Sequence, residues 1–265
     1  NSTAALSYTD VDALNISTVD GTSGITTNNG NATINSGALT LSQSIALGTG
    51  AGITLALNTT GAITQPGGTI PANILTVSNT AADTTLGQTN NIAVLGTINT
   101  AGRIFTLVDS NTAVTQTGAL TAASLNFTNL AGSGSNLLNN ASNAVASFGT
   151  ISTAGQTFSF TNTVALAQTG TISATNFGIT SSNAVNLGGN NTITGLIAAS
   201  LTGSTNAFTF NNTTGSVLTV GTVNLVNGIT TNNGVINLTN NFGITVNNAI
   251  ASGTGAINLT TTGAN

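Results

Sequence analysis

The chain has no cysteine, histidine, lysine, glutamate, methionine or tryptophan, and its charged side chains are one arginine, Arg103, and five aspartates, Asp10, Asp12, Asp20, Asp83 and Asp109. Each absence removes a class of function. Without cysteine there is neither a disulfide frame nor a thiolate metal site. Without His, Cys, Lys or Glu the general bases reduce to five Asp, and no pair of them recurs as an opposed acid and base, so the chain reads as a non-enzyme that needs no metal or cofactor. One arginine cannot neutralise a phosphate track, which excludes nucleic acid as a partner. There is no apolar run of the ~18 residues that a spanning helix needs, so no transmembrane segment is expected. The opening NSTAALSYTD is polar, lacks the basic start of a signal peptide, and reads as a processed or excised segment.

What remains is a polar, uncharged surface around a thin apolar interior. Only 2% of residues are charged, so solvation falls to Asn, Thr, Ser, Gln and Gly rather than to charge repulsion. Hydrophobic residues make up 39% of the chain but aromatics only 4%, which suits a narrow core of Val, Ile, Leu and Ala. Two prolines and a positive mean hydropathy argue against disorder. With no histidine and few Asp, stability is expected to be nearly independent of pH between about 5 and 9.

The organising signal is a tandem repeat. Pairs of bulky apolar residues two apart recur as Leu6/Tyr8, Leu55/Leu57, Phe105/Leu107, Phe158/Phe160, Phe208/Phe210 and Ile257/Leu259, with gaps of 49, 50, 53, 50 and 49 between their first members. Gln65, Gln116 and Gln168 follow three of the pairs; LGTINTAG at 95–102 returns as FGTISTAG at 148–155, and SGITTNNG at 23–30 as NGITTNNG at 227–234. Self-similar units of this size bury their apolar faces only by stacking on one another. Within them the apolar residues alternate with Thr, Ser and Asn, as in ATIN at 32–35 and ALTL at 38–41, which predicts short strands closed by Gly, Asn or Ser. Helices are excluded by composition and by the lack of helical spacing. Strands coiled in one direction make parallel sheets, with right-handed crossovers preferred. The expected fold is therefore all-β: a right-handed parallel β-helix, or β-solenoid, of tandem repeats of about 50 residues, forming one domain over residues 1–265. A spacing of 21, from Ile34 to Leu55 and from Ile236 to Ile257, suggests a smaller coil within each repeat.

Several residues carry sharper expectations. Phe105, Phe158 and Phe208 should stack in one interior column, and Asn28–Asn29 and Asn232–Asn233 should form stacked amide ladders. Pro66 and Pro71 should mark a corner where the chain leaves the stack, and GSGSNLLNNASN at 132–143 a second protrusion. Asp10 and Asp12, two apart, would share one face of a strand and could hold a hard cation; the plainer reading is a solvated turn. Thr192-Ile193-Thr194 is the Thr-x-Thr unit of an ice-binding face, but it does not recur at the repeat spacing. The final segment 207–238 parallels the first, and neither end carries a charged cap, so the chain reads as an excerpt of a longer array or a subunit covered by other copies.

The segments LSYTDVDALNISTVDGTSGITTNNGNATI, TLSQSIALGTGAGITLALNTTGAITQ and ALTAASLNFTN resemble the repeat regions of filamentous-haemagglutinin-like exoproteins, which are exported by two-partner secretion and resemble autotransporter passengers in fold. The resemblance implies a right-handed parallel β-helix and a bacterial, extracellular or cell-surface location. The family's secretion domain with its Asn-Pro-Asn motif has no counterpart here. The functional expectation is a structural or adhesive solenoid, a stalk or a surface or matrix fibre subunit assembling head to tail by self-association; the alternative is a glycan-binding adhesin module with host or matrix glycans as partners.

Overall fold

A computed structural model of the chain describes residues 4–263, apart from the side chain of Ala154. The described residues contain strands, bends and turns and no helix. They fall into two compact units, Asn1–Ala131 and Gly132–Asn265. Each unit is a parallel β-solenoid of stacked coils. In the first, one ladder climbs through Leu6, Ala32, Leu55, Leu75, Leu95 and Gln116, which are six successive levels. In the second, a ladder of the same height runs through Asn136, Phe158, Phe177, Ile197, Val220 and Val246.

Local patterning explains each rung. In Ala32–Ser36 the alternate residues Ala32, Ile34 and Ser36 are buried and those between are half-buried, and Thr54–Thr59 repeats the pattern one coil later. Side chains on a strand point alternately to opposite faces, so a period of two in the sequence becomes one apolar and one polar face. Ile34, Leu57, Leu75, Leu107, Ile179, Leu187 and Leu238 are fully enclosed. Each such side chain contributes about 1.5–3 kcal/mol by leaving water. The backbone groups of one coil are met by those of the next, as where Ile74 N–H donates to Ile53 O at 2.8 Å and Ile236 N–H to Ala256 O at 2.9 Å.

The coil is shorter than the repeat of about 50 residues. Leu55 lies beside Leu75, 20 residues on, and Phe158 beside Phe177, 19 on; Phe208 to Ile236 is a step of 28, and the longest, Ala199 to Ile229, is 30. The spacing of 21 from Ile236 to Ile257 is a true coil, whereas Ile34 stacks on Leu57 and it is Ala32 that meets Leu55. A repeat of about 50 therefore spans two coils and a fraction of a third, and successive repeats begin at different points of the circumference. This undoes the single column of Phe105, Phe158 and Phe208. All three rings are buried, but Phe158 sits in the ladder of Asn136 and Phe177 while Phe208 sits in that of Val185 and Ile236; in the first unit Phe105 stands over Leu125. In the second unit the rings meet across the narrow interior instead. Phe158 stacks on Phe177 at 6.3 Å, Phe177 on Phe210 at 5.5 Å, and Phe148 abuts Phe160 edge-on at 5.1 Å.

Two expected protrusions are corners of the stack. At the proline corner Gly67 N–H donates to Leu41 O at 3.2 Å, and Gly68, at φ +61°, lies so close to Gln43 of the preceding coil that a Cβ there would stand 2.2 Å from its carbonyl carbon. Pro71 opens the strand Pro71–Ser78, a position where its missing N–H disrupts no ladder. In 132–143 the strand Ser135–Leu138 runs in register with Thr157–Phe160, and Asn136 and Asn143 are fully buried. Its polar composition reflects amides turned inward onto backbone, as where Asn143 Nδ2 donates to Leu138 O at 2.9 Å.

What does leave the stack is a pair of antiparallel hairpins, Thr18–Val19 with Thr22–Ser23 and Thr222–Val223 with Val226–Asn227. Asp20 and Gly21, at φ 49° and 76°, make the first turn left-handed at both central residues, the type I′ geometry for which Asp-Gly is a favoured pair. The second hairpin folds back onto the outside of its own unit, where Val223 and Val226 pack with Ala198 and Leu196. Gly178 makes room for it: a Cβ there would stand 3.0 Å from Val223 Cγ1.

Truncating Phe158 to Ala removes the ring that joins Phe148, Phe160 and Phe177. The expected loss is about 3–5 kcal/mol in urea unfolding; a loss below about 1 kcal/mol would mean that the ring is not part of the core.

Candidate interaction faces

Three kinds of surface follow from stacked coils: the end faces, the polar flanks and the corners. The first coil of the first unit leaves its interior open. Leu6, Tyr8, Leu14, Ile16, Ile25 and Ile34 line a hollow of about 300 Å³, and Tyr8 is 42% exposed. The last coil of the second unit is open in the same way: Ile257 and Leu259 are 43% and 45% exposed, and every residue of Ile257–Thr261 is solvent-accessible. No charged residue lies between Gly234 and Asn265, whereas the first coil of the first unit carries Asp10, Asp12 and Asp20.

The flanks are amide and hydroxyl ladders. Asn58 Nδ2 donates to Asn35 Oδ1 at 2.9 Å, Asn258 Nδ2 to Asn237 Oδ1 at 2.8 Å, and Asn111 Nδ2 to Asn91 Oδ1 at 2.8 Å. The ladders expected at Asn28–Asn29 and Asn232–Asn233 do not form. Asn29 and Asn233 sit in left-handed turns at φ 56° and 63°, and Asn233 Oδ1 takes the N–H of Thr254 at 3.0 Å. Asn233 caps the next turn because αL geometry favours Asn there and aims its amide along the stack. Beside the first ladder lies an open groove of about 500 Å³ lined by Asp10, Asn35, Ser36, Asn58 and Thr60. Ser36 Oγ at this groove is buried and has no hydrogen-bond partner among the described residues.

Asp10 and Asp12 do not share a strand face. They lie in the bend after Leu6–Thr9, where Asp10 Oδ1 accepts the N–H of Asp12 at 3.0 Å and Oδ2 the hydroxyl of Tyr8 at 3.3 Å. This is an Asx turn, the plainer of the two readings. Among the described residues no three Asp, Glu, His or Cys side chains come together. Thr192 and Thr194 are exposed on either side of buried Ile193.

The recurring Gln proves to be a corner clamp at two of its positions. Gln65 Nε2 donates to Asn90 Oδ1 at 2.8 Å while its Oε1 accepts Gln88 N–H at 3.1 Å; Gln168 repeats both bonds with Asn191 and Gly189, at 2.5 and 3.1 Å. Asn90 Oδ1 and Asn191 Oδ1 then accept the N–H of Ile70 and of Ile172. These side chains replace backbone partners where the chain turns.

Asp109 is the group that sequence reasoning passed over. It stands four residues after Phe105, as Asn162 does after Phe158 and Asn212 after Phe208, so the repeat alignment itself contains the signal. All three do one job: Ile92 N–H reaches Asp109 Oδ2 at 2.9 Å, Val145 N–H reaches Asn162 Oδ1 at 2.9 Å, and Ile193 N–H reaches Asn212 Oδ1 at 2.8 Å. Asp109 alone brings a charge into this fully buried position. Desolvation pushes its pKa up from 3.8 to about 6, against the smaller opposing pull of the N–H groups of Asn111, Ile92 and Ser110.

A carboxyl that holds its proton more tightly when folded stabilises the fold at low pH and loses that contribution as pH rises. The expected flat profile therefore fails at this residue. Stability should fall by about 3 kcal/mol between roughly pH 4 and 7 and level off above. Urea midpoints across this range test it: Asp109→Asn should flatten the slope, and a wild-type curve already flat would mean the carboxyl is not desolvated. The slope is the readout, because the amide would turn its NH2 toward one of two N–H donors and change absolute stability as well.

Comparison with protein families, curated proteins and solved structures finds no match to this chain or its fold.

Proposed function

We propose that the chain is a non-enzymatic, extracellular structural element of a bacterial surface, a stalk or a fibre subunit whose copies join end to end. The observation that carries this reading is the stacking itself: coils are completed by like coils, as Leu6–Thr9 is by Ala32–Ser36 and Ile236–Asn240 by Ile257–Thr261, so a copy of the chain offers the kind of surface that a coil accepts. Uncovered parallel edges template further strands unless charge or proline blocks them, and the last coil has neither. Three aspartates in the first coil of the first unit oppose pairing of that coil with itself and leave it free to meet a neutral one. A heterologous contact of this kind propagates rather than closing on itself. The likeness of the repeats to filamentous-haemagglutinin-type segments and the lack of cysteine both fit export to a surface.

Ile257→Lys together with Asn258→Lys places two cations on the exposed terminal strand without disturbing a buried position. The double variant is expected to shorten the particles seen by light scattering and electron microscopy. If the unmodified chain stays a monodisperse monomer at high concentration, end-to-end assembly is refuted.

A second reading, glycan binding, rests on the open groove beside Asn35, Asn58 and Thr60, whose amide and hydroxyl groups suit a polyhydroxylated ligand. Glycan-array screening followed by Asn58→Ala tests it: retained glycans should be lost from the variant, and an empty array disposes of this reading.

A further inference from the structure

The two hairpins pair in the same register but differ at their turns. In the first unit the turn is Asp20-Gly21, in the second Asn224-Leu225. Gly21 has a φ of 76° and needs to be glycine or nearly so, whereas Leu225 has no positive φ, so the backbone accepts a polar residue there as readily as leucine. A large apolar side chain stands in solvent instead, 92% exposed, with the exposed Asn224 beside it.

Because this hairpin folds back over the flank, both side chains lie next to the outer faces of earlier coils. Phe158 and Phe160 point inward, so Ser159 and Thr161 point outward. Thr180 lies in register with Thr161 on the next coil, about 4.8 Å along the stack. Asn139, Thr161 and Thr180 on the coil side and Asn224, Leu225 and Val226 on the hairpin side enclose a trough of about 250 Å³. Its polar groups are available. Among the described residues the hydroxyls of Thr161 and Thr180 and the amide of Asn224 have no hydrogen-bond partner. Asn139 uses only its carbonyl oxygen, which accepts the hydroxyl of the enclosed Ser159 at 3.1 Å, so its amide is held in place and its NH2 is left to donate. At Asn35 and Asn58, by contrast, the amides bond to one another.

Size, charge and polarity together select the occupant. The trough is smaller than the roughly 300–1,000 Å³ of sites for drug-sized molecules, which leaves room for one small ring. All six charged residues of the chain fall in the first unit, so nothing in the second offers a counter-charge to a phosphate, carboxylate or ammonium group. Hydroxyls and amides that donate and accept stand opposite the aliphatic Leu225 and Val226, which matches a molecule with hydroxyls around its edge and C–H bonds on its face. We infer that the trough binds a neutral hexopyranose unit, its hydroxyls on Asn139, Thr161 and Thr180 and one face of its ring against Leu225. The site shares a ligand class with the second reading above, but it lies in the other unit and does not rest on the groove at Asn35 and Asn58.

Titrating the isotope-labelled full chain with methyl glucoside, methyl galactoside and methyl mannoside, and following the backbone amide resonances, tests the inference. At least one of the three is expected to shift Ser159, Thr161, Thr180 and Asn224–Val226, with a dissociation constant in the millimolar range usual for a ligand of about 13 non-hydrogen atoms. Thr180→Val keeps the shape of the side chain and removes its hydroxyl, and should weaken binding roughly fivefold to tenfold. Leu225→Ala removes an exposed side chain without touching the core, and should weaken it about threefold. Asn224→Gly suits the left-handed turn at φ 54° and should weaken binding while urea midpoints show the fold intact. Shifts confined to Asn35, Asn58 and Thr60 overturn the inference and support the other groove. Binding that survives both Thr180→Val and Leu225→Ala unchanged overturns it, and so does the absence of any shift with all three glycosides.

Discussion

In a parallel solenoid every coil is the solvent-excluding surface of its neighbours, and each strand's hydrogen-bonding groups are completed one coil away. Register between coils is therefore the constraint from which the other features follow. It sets which side chains share the interior, which amides meet on the flanks, and which groups remain open at an end. Where one level is longer than the next, the excess must be expelled or folded back. The hairpin at 222–227 is such an excess; it lies in the step of 28 from Phe208 to Ile236, and its two valines are covered by Ala198 and by the space left at Gly178.

The narrow interior explains the unusual chemistry of the chain. A lumen wide enough for two facing side chains takes Leu, Ile and Val readily, and the Phe side chains of the second unit fit because they stack or meet edge-on across it. Corners bring backbone N–H groups inward, and Gln65, Asn90, Gln168, Asn191 and Asn212 answer them with amides that donate and accept at once. A carboxylate can only accept. Asp109 fills an amide position with a group that has to surrender solvation to stay there, which makes an otherwise charge-poor fold sensitive to protons.

The same constraint connects the fold to its proposed role. Coils are completed by like coils, and a contact between copies would repeat an interface that the molecule already makes many times within itself. The acidic turn at Asp10 and Asp12 and the neutral strand at Ile257–Thr261 make the two faces unlike. A polar flank without charge adds no repulsion between copies.

The strand character, the uncharged surface, the aliphatic core and the kinship of the first and last segments could all be read from the residues alone. Alternation and composition act within a few positions, and the pattern at Ala32–Ser36 is the same in the chain and in space. Vertical neighbours could not be read that way. Coil lengths between 19 and 30 residues accumulate, so that Phe158 and Phe208, alike in local sequence, came to rest in different ladders. The turns at Asn29 and Asn233, the clamps at Gln65 and Gln168 and the burial of Asp109 depend on what lies one coil away, some twenty residues distant along the chain. Local pattern determined which face each side chain takes; only the stacking of coils of unequal length decided which side chains meet.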